Sequence, residues 1–557
     1  MKSSTTQGYG VCSDVPTAAS TAVHQSKEDQ PEIFQIDAGS QAIQKGELQE
    51  PAYRDKWFGV AFLAHLGVMV TVAALFATGT IEIDDDAMSP TRRLAGTYGD
   101  SSPYSSSGSS SPYPSSTSSP YSSSTSSSST NDGSDDLSSK DMLSFISTLI
   151  ICLIVSPILA VAAFWQMYNH AIVLIQGSLL FGIVLNLLVA IMCLIVEPTG
   201  AIVPGFFALV LMCYAKSVWH RIPFAAANVR TAATVVKANL GMAVLGLVGI
   251  PLNAAWWCLW FYVTYMTSHS KWMTNQVTEV EVTDDAFQQT HEQETMSFGA
   301  FVVWMLLLVS FYWTLQVISN VIHTTVAGTV GTWWFSPMEA NSCCSSGLLD
   351  SLGRSVTYSF GSICLGSLIV AILEMIKTMV RSVNNRRSGI FRCVVECLLV
   401  YLERIAEYFN RWAFVYVGLY GYSYMEAGKN VITLFKQRGW TTIITDTLTS
   451  RMIGMVSFVI GLITALVAAL LTLMETADAT VVGISALCAL LEGIILSQIV
   501  FRALLSSVDS VIVLYAEAPR EFQQNHPQLA QEMQDTWAQA WPDIFTAAPN
   551  ATATEVV

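Results

Sequence analysis

The chain alternates between long apolar runs and shorter polar stretches. A helix needs roughly 20 mostly apolar residues to cross a bilayer. Runs of about that length fall near 57–78, 143–164, 171–196, 200–218, 236–265, 298–320, 355–379, 452–474 and 480–505. A further candidate, 393–417, is less apolar. The pattern predicts an all-α, polytopic transmembrane helix bundle of about ten spans.

The polar stretches set the rest of the organisation. Residues 1–56 read as a cytosolic, disordered N-terminus, 57–505 as the transmembrane domain and 506–557 as a cytosolic C-terminal tail. The domain is interrupted at 79–141 by an extracellular tract rich in Ser, Tyr and Pro, with Ser-Pro-Tyr at 102–104, 111–113 and 119–121. Such a tract cannot bury a core and reads as disordered. It has no Asn-x-Ser/Thr sequon, so it carries O-linked sugars or is a plain solvated loop. The opening MKSSTTQGYG is polar, so the first apolar run reads as a retained span rather than a cleaved signal.

Composition agrees. Only 12% of the 557 residues are charged and 52% are hydrophobic, whereas a soluble domain carries about a quarter charged residues. The net charge of −15 excludes the basic footprint of a nucleic-acid binder. Most of the 11 Cys lie inside apolar runs (Cys152, Cys193, Cys213, Cys258, Cys364, Cys488) and read as small core hydrophobes.

An inside N-terminus satisfies the positive-inside rule at most loops. It puts Lys216, Arg221, Arg230 and Lys237 inside, with Lys429, Lys436 and Arg438. The acidic loop 266–296 is then outside. Arg381, Arg386, Arg387 and Arg392 break the rule. Either long helices carry that hairpin clear of the membrane, or the run Asn320–Phe335 is re-entrant or broken and shifts the count.

A charge inside a span costs about 2.5–3.5 kcal/mol and usually faces a bundle interior or a polar path. Glu374 has Lys377 one turn on, the spacing of an ion pair. Glu492 has no basic neighbour at helical spacing and is the better candidate for a proton or cation site. Asp509 reads as a helix exit. Aromatic faces attract organic cations. Trp256, Trp257, Trp260, Phe261, Tyr262 and Tyr265 end a span and fit an interfacial belt. Trp304, Tyr312 and Trp313 lie mid-span, where they line a substrate cavity together with Asn320 or pack against lipid. Gly361, Ser362, Gly366 and Ser367 mark close helix packing or a hinge. There is no phosphate loop, no H-E-x-x-H and no catalytic cluster, so no enzyme activity, metal or cofactor is expected. Cys343 and Cys344 are adjacent but lack further ligands nearby.

Several segments in order resemble the choline transporter-like family, and within it the fungal-type Pns branch. They are YRDKWFGVAFLAHL (53–66), RIPFA (221–225), NVIHTTVAGTVGTWWF (320–335), GSICLGSL (361–368), FNRWAFVYVGLYGYSYMEAGKN (409–430), ITD (444–446), VDSVIVLYAEAP (508–519) and NHP (525–527). The resemblance implies about ten spans, cytosolic termini and a place in the plasma membrane. It also implies transport of choline or a related small organic cation, proton-coupled in some members. The partners implied are that cation and the lipid bilayer. Two features depart from animal members: the first outer loop lacks Cys, and Glu374 stands where Gln is more usual. A non-transporting scaffold or sensor, or a channel of the same fold, remains the alternative.

Overall fold

The computed structural model describes residues 46–82, 139–196, 198–274, 277–284, 289–382, 389–438, 444–476 and 478–541. The body of the Ser-rich tract, both chain ends, and Arg386 and Arg387 lie outside the described residues. Helix α1 spans Lys56–Ala77. Helix α2, Ser139–Val196, has 58 residues and a break at His170 (φ −129, ψ 37). At about 1.5 Å per residue it is long enough for two crossings of a ~30 Å apolar layer. Helices α3 (Ile202–Val218), α4 (Ile222–Ala238) and α5 (Gly241–Ser268) follow. Strands β1 (Val277–Asp284) and β2 (Gln289–Met296) pair as an antiparallel hairpin, the one sheet among the described residues.

The second half contains α6 (Phe298–Phe335), α7 (Ser346–Val356), α8 (Phe360–Ser382), α9 (Gly389–Tyr420) and α10 (Tyr424–Arg438). It ends with α11 (Ile444–Glu475), α12 (Ala479–Glu517), α13 (Pro519–Asn525) and α14 (Pro527–Ala540). Among the described residues, eight helical stretches are long and apolar enough to cross a membrane. Counting the two arms of α2 separately and adding the more polar α9 gives about ten. Exposed Leu, Ile and Val crowd α1, α2, α3 and α11, the surface expected to face acyl chains.

The run Asn320–Phe335 is neither re-entrant nor broken. It is the second half of α6, which is continuous over 38 residues. Of the two alternatives for the arginines, the one with long helices is left. At 32 residues, α9 reaches about 48 Å and outruns the apolar layer. Near that end Arg381 pairs with Glu396 at 2.7 Å.

The polar connections at the opposite end are folded. The stretch around 216–237, expected as a loop, is largely the helix α4, with most of its residues buried. Helix α14 covers it: Trp537 and Trp541 meet Phe224 edge-on at 5.1 and 5.3 Å, and Arg230 pairs with Glu532 at 2.8 Å. Lys237 lies over the rings of Trp165 and Tyr168, beside the break in α2. Phe522 stacks on Trp334 at 4.0 Å and His526 on Trp333 at 3.7 Å. Burial against Trp333 holds the His526 imidazole below its ordinary pKa of 6.5, opposed by the hydrogen bond to the Trp333 carbonyl.

Residues 46–55 form a strap across this same end. The amides of Gln49 and Arg54 donate to the carbonyls of Tyr420 (2.8 Å) and Tyr358 (3.1 Å). The Glu47 amide donates to the Tyr422 hydroxyl, and that of Gly46 to Glu517. Both ends of the described chain therefore lie at one end of the bundle.

Candidate functional site

A cavity of about 760 Å³ lies between α6, α9, α11 and α12. Ligand pockets commonly fall between about 300 and 1,000 Å³. Its wall is charged because α9 is charged. Arg404, Glu407 and Arg411 recur at three- and four-residue steps, which puts them on one face of that helix. All three line the cavity, with Asn320 and His323 of α6, Arg451 of α11, and Arg502 and Asp509 of α12.

The polar groups at its inner wall are cross-linked. Arg411 Nε donates to Asp509 Oδ2 at 2.7 Å, and Asp509 is 2% exposed. The sequence suggested that Asp509 marks a helix exit. Helix α12 instead continues to Glu517, and Asp509 is a buried half of an ion pair. A buried pair is costly to break because the remaining charge is left without compensation. His323 Nε2 lies 3.1 Å from the Arg411 carbonyl, which can only accept, so this nitrogen carries the hydrogen. Its Nδ1 lies 2.8 Å from the Ser506 hydroxyl. Asn320 Nδ2 donates to Ser367 Oγ at 2.9 Å, joining the cavity wall to α8.

A second charged group adjoins the cavity through Glu407. Lys377 pairs with Glu374 at 2.7 Å, the ion pair expected from their spacing, and also reaches both carboxylate oxygens of Glu403 at 2.6 and 2.7 Å. Carboxylate oxygens of Glu374, Glu403 and Glu407 lie within 4.8 Å of one another. Three carboxylates so close resemble a cation site, but Lys377 already supplies a positive charge to two of them. Glu374 thus stands one carboxylate away from the cavity.

The other candidates lie elsewhere. Glu492 is half-buried on α12 near Cys152 of α2, away from the cavity lining. Trp313 is buried with both its N–H and its faces engaged. Nε1 donates to the Cys364 carbonyl at 3.0 Å, His65 stacks on the ring at 5.4 Å, and Phe62 meets it edge-on at 5.1 Å. The Tyr312 hydroxyl lies 3.0 Å from that of Thr378. Trp304 packs against the cluster of Met69, Trp256, Trp260 and Leu307. Trp260 Nε1 donates to the Leu307 carbonyl at 2.8 Å, so part of the supposed interfacial belt is interhelical packing.

The small residues of α8 are contact points. A Cβ on Gly361 would run into the backbone of Arg54 and Asp55. Ser362 Oγ donates to Asp55 Oδ2 at 2.6 Å, and the Tyr424 amide donates to the same oxygen at 3.0 Å. Asp55 is the one non-glycine residue with positive φ (47°) among those described. Its strained backbone is held by these two donors at the head of α1.

Sequence reading missed Arg404, Glu407, Arg411 and Arg502. The signal was present: the first three lie in the less apolar candidate run 393–417 and Arg502 lies inside the run 480–505, and charge inside a span is what marks a polar path.

A family model described as plasma-membrane choline transporter matches residues 202–520. The chain belongs to the choline transporter-like family. It is 26% identical over 516 residues to a CTL-like protein of Dictyostelium discoideum, covering 91% of this chain and 79% of that one. It is also 26% identical over 524 residues to Protein PNS1 of Neurospora crassa, covering 90% and 82%. A 173-residue stretch, 30% of this chain and 32% of the relative, is 34% identical to Protein PNS1 of Mycosarcoma maydis. The protein is a multi-pass membrane transporter of the choline transporter-like kind.

Proposed function

We propose that this choline transporter-like protein moves choline or a related small organic cation across the plasma membrane. The observation that carries the reading is the position of the charged cavity. Every residue lining it falls between Gln316 and Asp509, inside the segment that matches the family. Charge within a membrane bundle is costly and is retained where solutes or ions pass.

In this reading Glu407 supplies the counter-charge for the ammonium group, and the ring of Tyr408, also on the wall, supplies an apolar and π surface. Glu374 takes and releases a coupling proton through the Lys377–Glu403 network next to Glu407. The cavity opens to alternate sides as the bundle rearranges. The end carrying the strap and α14 faces the cytosol, which places both termini inside. Of the remaining candidates, Trp304, Tyr312, Trp313 and Glu492 act on helix arrangement rather than by touching the solute in this state. Gly361, Ser362, Gly366 and Ser367 act as packing points about which α8 moves.

The test is uptake of labelled choline and a panel of amines into vesicles holding the full-length protein. Wild-type uptake should saturate. Glu407→Gln should cut the initial rate at least tenfold while leaving protein insertion unchanged. No uptake of any amine by the wild type, or undiminished uptake by Glu407→Gln, overturns the reading.

A further inference from the structure

The charge of the cavity does not suit a bare cation. Its wall carries four guanidinium groups, of Arg404, Arg411, Arg451 and Arg502, against the carboxylates of Glu407 and Asp509. Two arginines are occupied. Arg411 is held by Asp509, and Arg451 lies over the Tyr214 ring at 4.7 Å. Arg404 and Arg502 have no carboxylate within 4.0 Å among the described residues. Arg502 presents accessible surface and lines the cavity. Arg411 crowds it with like charge. Glu407 is the acid facing both Arg404 and Arg502, at longer range, and it lies beside the carboxylates of Glu374 and Glu403. The cavity therefore holds positive charge in excess, with two guanidinium groups in no close ion pair among the described residues. Guanidinium forks match the oxygen pairs of phosphate and bind them bidentately.

We propose that the cavity takes its solute as a zwitterion: a small organic phosphate ester that also carries an ammonium group. The phosphate sits on Arg502 and Arg404, and the ammonium points to Glu407 and the Tyr408 ring. Gln498, one turn before Arg502 on α12, adds a neutral amide to the same wall. The inference rests on the reading of this cavity as the transport path, and it changes the substrate class from a bare amine to a phosphorylated one.

The experiment measures ligand binding to the full-length protein in detergent by calorimetry and by thermal shift. The probes are choline, inorganic phosphate, phosphocholine and lysophosphatidylcholine. Phosphocholine should bind at least tenfold more tightly than choline. Arg502→Gln and Arg404→Gln should each weaken phosphocholine at least tenfold and leave choline unchanged or tighter, while Arg502→Lys keeps most of the affinity. The unliganded Arg502→Gln protein should melt no lower than wild type, because the substitution removes an unpaired charge. A lower melting temperature assigns Arg502 a structural role and overturns the proposal. So does phosphocholine binding that is indifferent to both substitutions, or choline binding more tightly than phosphocholine. Inorganic phosphate binding as tightly as phosphocholine leaves an oxyanion site only and removes the zwitterion. Binding of lysophosphatidylcholine alone assigns the site to a lipid headgroup and removes the soluble ester. The two readings fail separately. Arginine-dependent phosphocholine binding without any uptake sinks transport and keeps the zwitterion site, whereas saturable choline uptake together with phosphocholine binding indifferent to Arg502→Gln and Arg404→Gln does the reverse.

Discussion

Gly366 shows how single residues set this fold. A Cβ there would lie 2.5 Å from the Tyr424 ring and 2.7 Å from that of Phe414, both buried and tightly packed. The Gly366 carbonyl accepts from Asn410 Nδ2 at 2.8 Å, and Asn410 in turn accepts from the Tyr424 hydroxyl. One absent side chain therefore lets α8, α9 and α10 share a polar contact one residue away from the cavity-lining Arg411. Overpacking in a dense core costs typically 1–3 kcal/mol. Gly366→Val should destabilise the protein by about that amount, read as a lower melting temperature in detergent, whereas Gly67→Ala should not. Gly67 has nothing near its Cβ position. Its neighbour in kind, Ser362, was legible as a small residue in GSICLGSL. Its partner Asp55, 307 positions away, was not, because nothing local links them.

At the level of elements, α6 and α9 cross at glycines. A Cβ on Gly418 would lie 3.0 Å from Ala327 and 3.2 Å from the Gly328 amide nitrogen. This contact fixes the distance between the two helices that carry His323 and Arg411. Gly418→Leu should push them apart, lower the melting temperature and weaken solute binding together. A normal melt with unchanged binding would show that the crossing does not set the cavity. The C-terminal pair α13 and α14 makes a different prediction. Burial keeps the His526 pKa below 6.5 in the folded protein, so the unfolded chain binds the proton first as pH falls. The stabilising contribution is complete above about pH 6.5 and is lost as pH drops toward the folded value. Hydrogen exchange across 519–540 should therefore quicken on acidification below pH 6.5, and His526→Gln should flatten that dependence. The strong amphipathy of this tail was visible in its sequence. Its docking partner α4 was not, because α4 sits between two apolar runs and reads as loop by charge.

For the molecule as a whole, the strap, α4, α7, α10, α13 and α14 gather at one end, which the proposed orientation assigns to the cytosol. Two natural and engineered acceptor sites test this in one chain. Ser105→Asn creates a sequon with Ser106 and Ser107 in the Ser-rich tract, and Asn550 already heads a sequon with Ala551 and Thr552. Expressed in cells that glycosylate, the variant should gain one glycosidase-sensitive mass step at 105 and none at 550. A glycan at Asn550, or none at 105, would reverse the orientation. The same global arrangement explains why the spans differ in polarity. Helices with exposed apolar faces border lipid, whereas α9 trades apolar residues for charge because one of its faces lines the cavity.

Apolar run length alone determined that this is a helical membrane bundle of about ten spans, since the bilayer imposes a fixed thickness and leaves no backbone group unpaired. Ordered motifs along the chain identified the family, and the Glu374–Lys377 pair followed from helical spacing. Tertiary structure decided what those patterns left open: that α6 is continuous, that Trp313 is a packed and hydrogen-bonded core residue, and that Glu492 lies apart from the cavity. It also brought Arg404, Glu407, Arg411, Arg502 and Asp509 to one wall. The reason is physical. Periodicity within a segment is a local property that hydrophobic burial selects residue by residue. Which charged face meets which is fixed only when helices far apart in sequence pack, and a cavity exists only between them.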